Sequence, residues 1–119
     1  MAIARYPSTV LDCPDPAALA SFYSVLTGWD VSSSTSDYAT VSSGSVDLAF
    51  QRIADFTAPS WPSSAKQVHM DVTVADIAVA EKELLALGAT KPSFQPGGDE
   101  WTVLADPAGH MFCLIPEGE

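Results

Sequence analysis

One order of local signals runs through this sequence twice. Cys13-Pro14-Asp15-Pro16 sets an Asp at a helix N-cap and a Pro at the first helical position. Ala18, Leu19, Phe22, Val25 and Leu26 then recur at helical spacing, and Gly28 follows as the stop. Asp76 repeats the cap, Ile77, Ala80, Leu84 and Leu87 repeat the stripe, and Gly88 repeats the stop. Asp76 lies 61 residues after Asp15, and Gly88 lies 60 after Gly28. Before the first helix, Ser8–Asp12 is predicted as a strand; after it come Trp29–Ser32, Tyr38–Val41 and Val46–Gln51, separated by Ser- and Gly-rich turns. The second half predicts Val68–Val74, then Ala89–Phe94, Trp101–Ala105 and Met111–Ile115. The turns there are Pro96-Gly97-Gly98 and Asp106-Pro107-Ala108-Gly109. Each half therefore has the order β-α-β-β-β. A half of about 60 residues buries little surface alone, so the two are expected to pack together as one domain. The first module covers about residues 1–53, a linker 54–66, and the second module 67–119.

Charge narrows the partners. Five Lys and Arg against 15 Asp and Glu leave a net −10 on 119 residues. Nucleic acid requires a basic face, and anionic membranes attract one, so neither is an expected partner. No run approaches the length of a membrane span, and the start lacks the apolar run of a signal peptide. Cys13 and Cys113 are far apart, outside any CxxC pattern and flanked by apolar residues. They are expected to be reduced, buried thiols of a cytoplasmic protein.

Strand alternation sorts residues onto faces. On Val68–Val74, Val68, Met70 and Val72 form an apolar face, and His69, Asp71 and Thr73 the opposite one. On Val46–Gln51, Asp47, Ala49 and Gln51 oppose Val46, Leu48 and Phe50. Carrying the repeat back by 61 residues aligns His69 with Ser8 and Asp71 with Val10, which puts Ser8, Val10 and Asp12 on one face. On the last strand Cys113 alternates with Phe112 and Leu114 and points away from them.

The paired modules resemble the vicinal oxygen chelate superfamily, which includes glyoxalase I, extradiol dioxygenases and bleomycin-type resistance proteins. The resemblance is closest to its small glyoxalase-like members. It rests on Leu11-Asp12-Cys13-Pro14-Asp15-Pro16, Phe22-Tyr23 and Leu26-Thr27-Gly28 in the first half. In the second it rests on His69-Met70-Asp71-Val72, Leu87-Gly88-Ala89 and the run from Trp101 to Cys113. The implied fold class is α+β, two βαβββ modules whose curved sheets enclose a cleft, with helices outside. The implied metal ligands come from the first and last strand of each module. Those positions match Ser8, Ala49, His69 and Cys113, with Asp47 or Gln51 as alternatives to Ala49 in register. Ser8 is a poor ligand and Cys113 stands where a Glu is usual. A stable divalent site needs three or four good donors, so no metal cofactor is expected. If one binds, His69, Cys113 and a cleft Asp would hold it.

The candidate ligand-binding residues are His69, Asp71, Gln51, Asp47, Asp12, Trp61, Trp101 and Cys113; no catalytic residue is assigned. His69 suits a pocket wall, a proton carrier, or a strand histidine bonded across the sheet. Asp12, Asp47 and Asp71 could gather around a cation, or sit at a solvated rim, and Asp12 could serve the turn before Pro14. Cys113 reads as a buried thiol in preference to a nucleophile, since nothing basic adjoins it in sequence. Trp61, Trp101, Tyr38 and Phe56 offer aromatic surface on which an apolar or aromatic ligand could stack, with core packing as the other reading of Trp101 and Tyr38. Trp61, between Ser60 and Pro62, reads as a ligand, partner or local contact.

The resulting expectation is a glyoxalase-like protein that binds a small organic molecule in its cleft, without the superfamily's usual metal site. Resistance proteins of this superfamily bind a cationic drug without chemistry, and acidity suits such a ligand. The alternative is a divalent-metal-dependent lyase, isomerase or dioxygenase. A third class, a partner-binding module, has no selecting feature. The resemblance also implies a homodimer as one arrangement, with or without modules exchanged between chains. The 13-residue linker, Ala54–Lys66, reaches far enough for either.

Overall fold

The computed structural model describes residues 2–3, 5–62 and 68–117. The expected linker therefore lies partly outside the described residues. The chain forms two compact units, residues 1–56 and 57–119.

The first unit runs β1 (Thr9–Cys13), α1 (Pro16–Thr27), β2 (Asp30–Ser34), β3 (Tyr38–Ser42) and β4 (Asp47–Arg52). Its sheet has the order β1-β4-β3-β2, with β1 parallel to β4 and the other pairs antiparallel. The helix starts where the sequence says. The Asp15 side chain accepts from the Ala18 N–H at 3.2 Å, and Pro16 occupies the first turn. Such a cap contributes about 1 kcal/mol. At the other end Gly28 takes a left-handed φ of 77° while its N–H bonds to the Ser24 carbonyl at 2.9 Å.

The buried face of α1 differs from the expected stripe. Leu19, Ala20, Phe22 and Tyr23 are buried, while Ala18 and Val25 are exposed. Tyr23 decides this, because its ring stacks on Phe50 of β4 at 5.4 Å and 16°. An aromatic pair on a sheet outweighs a Val at the margin: burying one large apolar side chain contributes roughly 1.5–3 kcal/mol. Ala39, Val41, Leu48 and Phe50 complete this core. Tyr38, expected in the core, is exposed on the other face, opposite Gln51.

The second unit runs β5 (Met70–Val74), α2 (Ile77–Ala86), β6 (Thr102–Ala105) and β7 (Met111–Pro116). Its sheet order is β5-β7-β6, again with the first strand parallel to the last. Asp76 caps α2 by accepting from Val79 N–H at 3.0 Å. The helix ends before Gly88, whose φ is 111°. Leu84 is buried, but Leu87 lies past the last turn and is exposed.

The strand expected over Ala89–Phe94 is absent. One bridge remains, Thr90 to Ala105, with reciprocal bonds of 2.9 and 2.8 Å. The next such antiparallel pairing would set Pro92 against Val103, and a proline has no N–H to give. The Gln95 side chain takes over. Its Nε2 donates to the Val103 carbonyl at 2.9 Å, and its Oε1 accepts from the Val103 N–H at 2.9 Å. Nε2 also donates to the Pro92 carbonyl at 2.8 Å. A carboxamide carries both a donor and an acceptor, so it completes the edge as a strand backbone would.

Between β6 and β7 the expected turn is present. Asp106, 2% exposed, accepts from the N–H groups of Ala108 and His110 at 2.8 and 3.0 Å. Neither Cys13 nor Cys113 is in a disulfide, and both are buried. Among the described residues no helix is long and apolar enough to cross a membrane.

Candidate functional site

The second unit's sheet has two unlike faces. Phe112 and Leu114 on β7 and Leu104 on β6 are fully buried on one, and α2 packs against β7. Alternation puts Met111, Cys113 and Ile115 on the other, with Val103 of β6 directly beside Cys113. That second face is the floor of a cavity of about 370 Å³.

Two tryptophans wall it. Trp61 precedes the sheet in sequence and is fixed by Phe94: its Nε1 donates to the Phe94 carbonyl at 3.1 Å, and the rings lie 5.8 Å apart. Trp101, at the entry to β6, lies flat against Gly97. A Cβ at Gly97 would come within 2.4 Å of the indole, so only glycine lets the ring sit there. The sequence reading took Gly97 as a turn residue only; its second role depends on a contact that no local pattern encodes. Pro96 completes the wall and Gln95 anchors the loop that carries it.

The polar groups come from β5 and the residue before it. His69 lies one residue before the strand and Asp71 within it, on one face. Asp71 pairs directly with Cys113 on β7, and parallel neighbours stand about 4.8 Å apart. His69 Nε2 is 3.5 Å from Asp71 Oδ1, with the side chains 47% and 60% exposed. So open a pair contributes little to stability. One donor atom each from His69, Asp71 and Cys113 lies within 4.8 Å of the other two.

Five of the expected site residues thus line one cavity: Trp61, His69, Asp71, Trp101 and Cys113. Asp12, Asp47 and Gln51 belong to the first unit's sheet. There Asp12 pairs with Gln51, Val10 with Ala49, and Asp47 accepts from the Ser42 hydroxyl. Val10 opposite Ala49 repeats Asp71 opposite Cys113, which favours Ala49 over Asp47 or Gln51 as the counterpart of Cys113. Ala49 carries no donor atom. The superfamily's metal-ligand positions, Ser8, Ala49, His69 and Cys113, therefore do not fit a four-ligand site of its usual kind.

A model of the glyoxalase-like domain matches residues 8–115. The chain belongs to the glyoxalase-like domain family. Several of its solved structural neighbours are named as glyoxalase, bleomycin resistance or dioxygenase family proteins, the group that the vicinal oxygen chelate superfamily comprises. One is a family enzyme from Burkholderia phytofirmans PsJN, 17% identical, covering 95% of this chain and 98% of that one, with a TM-score of 0.70. A second, from Agrobacterium tumefaciens, is 16% identical over 96% and 98% of the two chains, with a TM-score of 0.69. A third is the bleomycin-binding protein of the bleomycin producer Streptomyces verticillus, solved with copper(II)-bleomycin. It is 21% identical over 100% of both chains, with a TM-score of 0.56. At these identities the likeness shows the fold. No curated protein matches the sequence. For this glyoxalase-like chain the fold is shared.

Proposed function

We propose that this protein binds a small organic molecule with aromatic surface in the cavity of its second unit, and that it does so without the superfamily's usual metal site. The observation that carries the reading is the pairing of Trp61 and Trp101 over a floor of Val103, Met111 and Cys113, with His69 and Asp71 as the polar groups. A concave apolar site with a few polar groups is the common form of a ligand pocket, and about 370 Å³ falls in the usual range of roughly 300–1,000 Å³. The bleomycin-binding neighbour supports small-molecule binding within the family. Asp71 and the net charge of −10 favour a cationic ligand over an anionic one. The donor set weighs against the metal-dependent lyase, isomerase or dioxygenase alternative, because Ala49 supplies no ligand atom. Two reduced thiols suit a cytoplasmic setting.

A thermal-shift screen of cationic aromatic compounds, followed by tryptophan fluorescence titration, tests this reading. A binder should raise the Tm and quench fluorescence. The quench should shrink in Trp61→Phe and Trp101→Phe and persist in Trp29→Phe, whose indole lies in the first unit. Quenching that survives both second-unit variants would place the ligand elsewhere.

A further inference from the structure

We propose that Gly109 is a positioning residue for the pocket: its bare α-carbon seats Ala58, and that seat holds the Trp61 indole in place as the pocket's wall. The inference deepens the organic-ligand reading and rests on it for what the wall is for. Neither Gly109 nor Ala58 lines the cavity.

Three segments meet at the turn between β6 and β7. Within it the Asp106 carboxylate accepts from the Ala108 and His110 N–H groups. Asp106 N–H donates to the His110 carbonyl at 2.8 Å, and Gly109 N–H donates to the Asp106 carbonyl at 2.8 Å. Pro107 reaches the end of α2, where a Cβ at Gly88 would lie 3.5 Å from its ring. At Gly109 the approach is closer. A Cβ there would lie 2.6 Å from the Cβ of Ala58 and 3.8 Å from Cδ of Pro59. Ordinary contact begins at 3.4 Å. A side chain at 109 must therefore push Ala58 back by about 0.8 Å, more than the roughly 0.5 Å within which a binding geometry has to be held. The turn is cross-bonded through its own backbone, so the Ala58 segment is the side that gives.

The displacement reaches Trp61. Only Pro59 and Ser60 separate it from Ala58. Pro59 has a locked φ and restricts the backbone of Ala58 before it, so few bonds can absorb a shift. Trp61 is in turn tied to Phe94 by the 3.1 Å bond to its carbonyl and by the ring contact. The segment thus hangs between two fixed points, the turn and Phe94, and moving one strains the other.

Backbone conformation is a separate matter. The φ of 96° at Gly109 favours glycine by itself, and Gly44 in the first unit has nearly the same φ, 98°. A Cβ at Gly44 would meet nothing within 4 Å. Alanine carries the same backbone strain at either position, and only at 109 does it also strike Ala58.

The three indole N–H signals of a proton–nitrogen correlation spectrum, assigned by Trp29→Phe, Trp61→Phe and Trp101→Phe, test this with no ligand present. Gly109→Ala should move the Trp61 signal and leave that of Trp29 in place. Gly44→Ala should leave the Trp61 signal where it is. Adding Ala58→Gly to Gly109→Ala passes the methyl from one side of the seat to the other. It should return the Trp61 signal to its wild-type position, which a mere loss of stability would not do. A Trp61 signal unmoved in folded Gly109→Ala overturns the proposal. So does one that Gly44→Ala moves equally, or one that Ala58→Gly does not restore. Should Gly109→Ala fail to fold, Ala58→Gly alone decides: the emptied seat must move the Trp61 signal, and an unmoved one overturns the proposal. A pocket that takes no compound in the thermal-shift screen ends the ligand reading and leaves these spectra as they are, so the two failures are told apart.

Discussion

The two units share a plan and differ in what they place on one face of it. In each, the first strand runs parallel to the last, a capped helix follows the first strand, and a glycine ends or follows that helix. At matching positions the first unit has Val10 beside Ala49 and the second has Asp71 beside Cys113. One pair is inert, and the other carries a carboxylate and a thiol. The edges differ as well. In the first unit β2 is a full edge strand on β3, whereas in the second a single bridge at Thr90 and the Gln95 carboxamide stand in for it. Caps, stops and alternation set the plan. The chemistry enters through a few side chains that the plan tolerates.

Four substitutions break or sharpen this contrast. Phe50→Ala removes the ring that Tyr23 stacks on and should cost about 3–5 kcal/mol in urea denaturation, the usual loss for a buried Phe. Gln95→Ala strips the second unit's substitute strand. It leaves the Val103 N–H and C=O without their partner and should cost about 2–6 kcal/mol, at about 1–3 kcal/mol per stranded group. A loss under half a kcal/mol would mean that the edge is held by other contacts. Gly97→Ala drives a methyl into the Trp101 ring and should cost about 1–3 kcal/mol. It should also shift the tryptophan emission maximum, because the indole must leave its seat. Last, His69→Ala should change stability by less than about 0.5 kcal/mol, as befits an exposed side chain in an open contact with a carboxylate. A larger loss would give His69 a structural role and weaken its assignment to the pocket.

Much of the plan was legible before the fold was known. Strand ends predicted from alternation agree with the observed ones within two residues, and Asp15 and Asp76 cap as their neighbours imply. The face of β5 that carries Asp71, and the face of β7 that carries Cys113, followed from parity alone. Other features escaped for identifiable reasons. The Ala89–Phe94 strand failed because Pro92 falls at a bonding position, and the replacement comes from a side chain five residues past Thr90. The helix face shifted because Tyr23 found Phe50, a residue on another element. Gly97 gave no sign that Trp101 would lie on it.

Sequence alone determined the order of elements apart from the missing Ala89–Phe94 strand, the helix caps and stops, and the two faces of each strand. Each of those depends on residues a few positions apart, where backbone geometry and side-chain chemistry act directly. Tertiary structure decided which strands lie side by side, and therefore that Asp71 meets Cys113 and that Trp61 reaches Phe94. Register between distant segments is chosen by the packing of the whole sheet. A one-residue slip would exchange its faces, turning the thiol and the carboxylate away from the pocket.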